Sequence, residues 1–246
     1  WSGVAWTADG RELLSVPDVI EDRVADLRSR VVAVSVDGGA EHELLGTAAH
    51  LSIDEVAVAP DGAIFLRGND VGESGVDFVA PGTAVWLLEA DGPRPLTDPE
   101  TIDLGEVGSH LSFPGDDVLV QDRTRGRLRL LRVTRGGEIT ELLGGDVEVS
   151  GHAAGGGRIV AAVAAPESFG ELVLVDDDAR HTLTDHGAAA RERGVVVPEE
   201  REIAGRDGYP VHGWVAVPEG EGPFPVILQI HGGPYASYGV HLFDET

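Results

Sequence analysis

The sequence predicts a mainly β chain: a partial β-propeller of about four blades over residues 1–190, then the first strands of an α/β-type sheet over residues 191–246. Three observations predict it. Turn signals recur beside short apolar runs through the first two-thirds, with anchors at Gly10, Gly62, Gly115 and Gly157 and steps of 52, 53 and 42 residues. A second set of turns falls between them. Past residue 190 the alternation gives way to the continuous apolar run "FPVILQI".

Each element follows from local chemistry. "WTADGRELLSV" (6–16), "VAPDGAIFL" (58–66), "SFPGDDVLV" (112–120) and "AGGGRIVAAV" (154–163) are strand–turn–strand stretches. Asp-Gly and Gly-Gly tolerate the positive φ that tight hairpins require. "VVAVSVDGGAEHELL" (31–45), "VWLLEADGPRPLTD" (85–98), "LRLLRVTRGGEITELL" (128–143) and "LVLVDDDARHTLTD" (172–185) supply the second hairpin of each unit. Two hairpins per 40–50 residues is the period of a propeller blade. A plain β-sandwich would also give short strands with turns, but it does not explain matched spacing. "PDVIEDRVADLRS" (17–29) and "NDVGESGVDFVAPG" (69–82) are longer loops hung on the first two units.

Composition narrows the partners. Net charge is −25, all 18 basic residues are Arg, and Asn occurs once, at Asn69, usage that points to a GC-rich coding source. Such an acidic chain repels a phosphate backbone, so no nucleic-acid partner is expected. No apolar stretch is long enough to span a bilayer, so no membrane partner is expected either. The chain has no Cys and no Met and opens on "WSGVAW", so the native N-terminus is expected to lie upstream. A cytoplasmic location is the expectation, and oligomer formation is left open.

"DHGAAARERGVVVPEEREI" (185–203) reads as a connector, and "REIAGRDGYPVHGWVAVPEG" (201–220) as two strands around Asp207-Gly208, with Trp214 on one face. "PVILQI" is apolar on both faces, as a buried central strand of a helix-covered sheet must be. It runs into His231-Gly232-Gly233-Pro234.

His231-Gly232-Gly233-Pro234 after an apolar strand resembles the oxyanion loop of α/β-hydrolase enzymes, where backbone N–H groups meet the oxygen that turns negative as a carbonyl is attacked. With "RDGYPVHGW" before it and blades before that, the chain is similar to the prolyl oligopeptidase family of serine peptidases. The match is closest to its acylaminoacyl-peptidase and dipeptidyl-aminopeptidase-like branch. The resemblance implies that 191–246 is the N-terminal part of an α/β-hydrolase peptidase domain. It assigns the oxyanion amide to Gly233, with Gly232 beside it. Other branches carry a tyrosine donor where this chain has His231, which leaves His231 to orient the turn through its ring nitrogens. Tyr235 would flank the substrate entrance. The substrates implied are short peptides, with no metal and no organic cofactor. The family's G-x-S-x-G nucleophile elbow, with the Asp and His that follow it, does not occur here. The chain is therefore expected to be a fragment without peptidase activity.

Other constellations carry less. Asp176, Asp177, Asp178, His181, Asp185 and His186 surround a hairpin turn and read as solvated rather than metal-binding. Ser109 and His110 are neighbours on a strand, so they point to opposite faces. Glu199-Glu200 lies in the connector, and a role in holding a peptide's amine is not carried over to it. A binding propeller and a propeller-linked esterase are the rival readings. Residues 196–234, which a self-contained propeller does not need, tell against the first.

Overall fold

The computed structural model describes residues 2–17, 26–79, 81–176, 179–233 and 237–243. Its strands fall into blade-like sheets in chain order. The first sheet holds β1 (Ser2–Trp6), β2 (Glu12–Val16), β3 (Val31–Ser35) and β4 (His42–Leu45). The second holds β5 (Leu51–Val58), β6 (Ile64–Asp70), β7 (Ala84–Glu89) and β8 (Gly92–Pro95). Every neighbouring pair in these two sheets is antiparallel.

The third sheet comprises β9 (Val118–Thr124), β10 (Arg127–Val133) and β11 (Ile139–Leu143). Its expected first hairpin, at Gly115, is reduced to one bridge between Ser112 and Leu119. The fourth holds β12 (Glu148–Gly155), β13 (Arg158–Ala165), β14 (Ser168–Asp176) and β15 (Ala179–Thr182). A single parallel pair, Leu128 with Glu148, links the third and fourth sheets. A short helix, α1 (Ala188–Arg193), precedes a separate hairpin of β16 (Glu199–Ala204) and β17 (Pro210–Val215).

The apolar core is layered between consecutive sheets. Leu14, Val31 and Ala33 meet Leu51, Val56 and Leu66 between the first two. Phe65, Val85 and Leu87 meet Val118, Val120 and Leu131 between the second and third. Leu119, Leu130 and Leu143 meet Val149, Ala161 and Val173 between the third and fourth. The strand period of two explains the sharing. Leu66 faces back to the first sheet while Phe65 faces on to the third, and Leu119 and Val120 divide in the same way. This is why these strands read as apolar on both faces although the sheets are antiparallel.

One expectation fails. "PVILQI" (225–230) belongs to no sheet among the described residues, and Val226, Ile227, Leu228 and Ile230 are 74–93% exposed. A strand apolar on both faces is buried only with strands on both sides, and no described strand pairs with this run. Among them, too, no helix is long and apolar enough to cross a membrane.

Candidate active-site loop and its seat on the propeller

The β16–β17 hairpin turns where the sequence indicates. Asp207 Oδ1 accepts the Tyr209 amide at 3.1 Å, and Gly208 takes φ 82°. The hairpin rests on the β9–β10 turn of the third sheet. Arg125 there has φ 47°, unusual for a residue with a Cβ, followed by Gly126 at 71°. From that turn Arg125 reaches Glu200 at 3.4 Å and Glu202 at 3.2 Å. Arg127 donates to Glu200 at 2.9 Å and to Asp146 at 2.6 Å. Its guanidinium also lies 5.3 Å from the Trp214 ring centroid. His212 Nε2 completes the cluster at 2.7 Å from Glu200. The Arg127 guanidinium, then His212, hold the Glu200 carboxyl down at about 2. Glu200 is thus spent on the junction, and Glu199 pairs with Arg201.

Beyond the exposed apolar run stands the glycine turn. His231, Gly232 and Gly233 are exposed. Gly233 has φ 143°, a conformation that residues with a Cβ rarely adopt. A methyl group built on Gly232 meets no described residue within 4 Å, so among the described residues the space beside the turn is open. His231 Nδ1 donates to the Gly232 carbonyl at 2.7 Å, bracing the turn from within. Tyr235 lies outside the described residues.

Farther on, the chain returns to the propeller. The Val240 amide donates to the Gly126 carbonyl at 2.8 Å, and the Leu242 amide to the Ala165 carbonyl at 2.9 Å. Val240 is buried. The Tyr238 ring meets His231 edge-on at 6.4 Å between centroids and Phe243 at 5.0 Å. Position 126 touches both connections. A Cβ there would lie 3.1 Å from the Trp214 ring and from the Tyr238 carbonyl oxygen, in a backbone conformation that already favours glycine.

Of the motifs set aside, Ser109 is buried, and its neighbour His110 stacks on His152 at 4.3 Å and donates Nε2–H to the His152 carbonyl at 2.6 Å. The serine that does meet a histidine is Ser112, whose Oγ is 2.8 Å from His152 Nδ1. Sequence reasoning missed this pair because it joins two sheets. Residues 109–111 belong to no strand and Ser112 forms only an isolated bridge, so the expected strand placement of Ser109 and His110 does not hold and no local periodicity marks the pair. Burial, then the charge of His110, pushes His152 down to about 4. A base so weak takes a serine proton poorly, and the pair is read as packing. Asp176 is 3.8 Å from His181, and Asp185 pairs with Arg191. Asp177 and Asp178 lie outside the described residues.

No known family's sequence model matches the chain. Over 93 residues it is 35% identical to YuxL of Bacillus subtilis, named an uncharacterized peptidase. That stretch is 36% of this chain and 14% of YuxL. In three dimensions it is similar to the acylaminoacyl peptidase of Pyrococcus horikoshii, with a TM-score of 0.69 at 17% identity, over 90% of this chain and 33% of that one. It is also similar to the β-propeller domain of the Trilobed protease from Pyrococcus furiosus, described as an open velcro topology. There the TM-score is 0.59 at 15% identity, over 76% of this chain and 55% of that one. At such identities the structural likenesses establish the fold. The chain spans about a seventh of its curated relative and a third of the acylaminoacyl peptidase. The blade-like sheets thus share the fold of peptidase propellers, and 93 residues share sequence with a peptidase.

Proposed function

We propose that this chain is the propeller and oxyanion-loop part of a serine peptidase that hydrolyses short peptides, releasing a dipeptide or an acylated residue from the N-terminus. In this reading residues 1–190 are propeller blades and 191–246 open an α/β-hydrolase domain. A serine outside the chain attacks the scissile carbonyl, and a histidine takes its proton. The carbonyl π electrons move onto oxygen, and the Gly233 N–H donates to that oxyanion. Collapse expels the amine, protonated by the histidine, and leaves a serine ester that water hydrolyses. The chain's own contribution is to hold the amide before the substrate arrives, since a donor already in position costs no reorganisation during the reaction.

The observation that carries the reading is the open turn at His231-Gly232-Gly233, with Gly233 at φ 143° and space free beside Gly232. The His231 bond to the Gly232 carbonyl supports an orienting role for that ring. The peptidase names of YuxL and the acylaminoacyl peptidase support the substrate class.

The 246-residue chain and the full-length protein should be assayed side by side on acylaminoacyl and dipeptidyl nitroanilides and on a matched ester. Peptide turnover by the full-length protein alone, abolished by a serine-directed phosphonate, is expected. Turnover by the short chain, or hydrolysis of the ester without the amides, would count against the proposal.

A further inference from the structure

The strand β12 begins on the propeller face that carries the β9–β10 turn, and its first residue, Glu148, points at the segment that follows the glycine turn. Glu148 Oε1 accepts from His241 Nδ1 and faces the His241 amide at 3.5 Å. The same carboxylate lies against Gly239, where an added Cβ would overlap it and would sit 3.0 Å from the Gly126 carbonyl oxygen. Gly126 and Ala165 accept the Val240 and Leu242 amides on either side. Three groups of the third and fourth sheets (one side chain and two carbonyls) thus fix residues 239–242, and the missing side chain at Gly239 lets them approach.

From this seat the contact runs back toward the exposed turn. Tyr238 lies between Phe243 and His231, and His231 is bonded to the Gly232 carbonyl. The turn itself has open space beside Gly232, and the apolar run before it packs in no sheet among the described residues. On its C-terminal side, contacts through Tyr238 and Phe243 lead from the turn to the propeller.

We propose that Glu148 is a positioning residue for the glycine turn: by clamping His241 against the propeller face it sets, through Tyr238 and His231, where the Gly233 amide stands. This rests on the oxyanion reading of Gly233. It makes the propeller part of the device that aligns the reacting carbonyl, in addition to any part it plays in admitting substrate. A misplaced oxyanion donor weakens binding of the transition state more than of the ground state, so the loss falls on kcat.

The test uses the full-length protein with Glu148→Ala, Glu148→Gln and Gly239→Ala, each measured for kcat, KM and hydrogen exchange at the Val240 and Leu242 amides. Glu148→Ala is expected to lower kcat by roughly tenfold to a hundredfold with KM changed less than about twofold. Glu148→Gln keeps an acceptor oxygen and should restore most of the rate. Gly239→Ala displaces the carboxylate from the other side and should copy Glu148→Ala, so the result does not hang on one variant folding. Both damaging changes should speed exchange at 240 and 242. Full kcat in Glu148→Ala despite faster exchange would overturn the inference, and so would exchange left unchanged. Gly233→Ala at full kcat would instead remove the oxyanion reading, whatever happens at position 148.

Discussion

The Arg127 guanidinium lies 5.3 Å from the centroid of the Trp214 ring while it donates to Glu200 at 2.9 Å. One side chain of the third sheet thus grips both strands of the β16–β17 hairpin, the ring on β17 and the carboxylate on β16. Arg127 and Trp214 should be coupled energetically. A double-mutant cycle of Arg127→Ala and Trp214→Ala, followed by urea unfolding, is expected to give an interaction of about 1 kcal/mol. Arg127→Lys should recover little of it, because a point charge cannot both stack and fork.

Glu200 gives the junction an acid limit. Its carboxyl is lowered from 4.5 to about 2 by Arg127 and then His212. A group with a depressed folded value contributes in full above its unfolded value, and the contribution fades as pH falls through the folded one. In the folded wild type the Trp214 indole resonance should therefore hold its position down to about pH 3 and shift as pH falls through about 2. In Glu200→Gln the shifted position should already be present at pH 7.

His152 acts in a higher window. Burial and His110 lower it from 6.5 to about 4, so between those values the unfolded chain binds more protons than the folded one. Stability is full above 6.5, falls as the solution is acidified toward 4, and is then constant with respect to this group. The full effect of a shift this size is of the order of 3 kcal/mol. Urea midpoints of wild type and His152→Gln, compared from pH 7 to 4.5, should converge as pH falls.

Gly68 on β6 is a close-packing glycine. A Cβ there would overlap the backbone oxygen of Ser52 and come within 3.0 Å of the Ile53 Cα, beside the register shift between Ile53 and Glu55. Gly68→Ala must push strand backbone apart, because no flexible side chain can yield. A loss of about 1–3 kcal/mol is expected by chemical denaturation. Gly10→Ala, which meets nothing within 4 Å, should show only the smaller cost of its positive φ.

The hairpins were legible because a tight turn writes itself locally. Asp-Gly and Gly-Gly mark where the chain reverses, and Gly10, Gly62, Gly157 and Gly208 all sit at such turns with positive φ. What depends on distant partners was not legible. The pattern of "PVILQI" states a need for neighbours on both faces but cannot supply them. The bond of Ser112 to His152 spans two sheets, and nothing in "SHLS" names its partner. The junction was hidden because Arg125 adopts a backbone conformation usually left to glycine or asparagine, and it is from there that it reaches Glu200 and Glu202. Of the glycine turn, the motif is local, whereas its seat on Glu148, Gly126 and Ala165 is made by residues 66 or more positions before it.

The layered core has a mechanical consequence. Each apolar layer is co-owned by two adjoining sheets, so damage passes sideways from sheet to sheet and has no shared centre to reach. Truncating Phe65 loosens the second and third sheets together, while truncating Leu14 is felt by the first and second. Among the described sheets, the resistance to separation is that of the weakest shared layer.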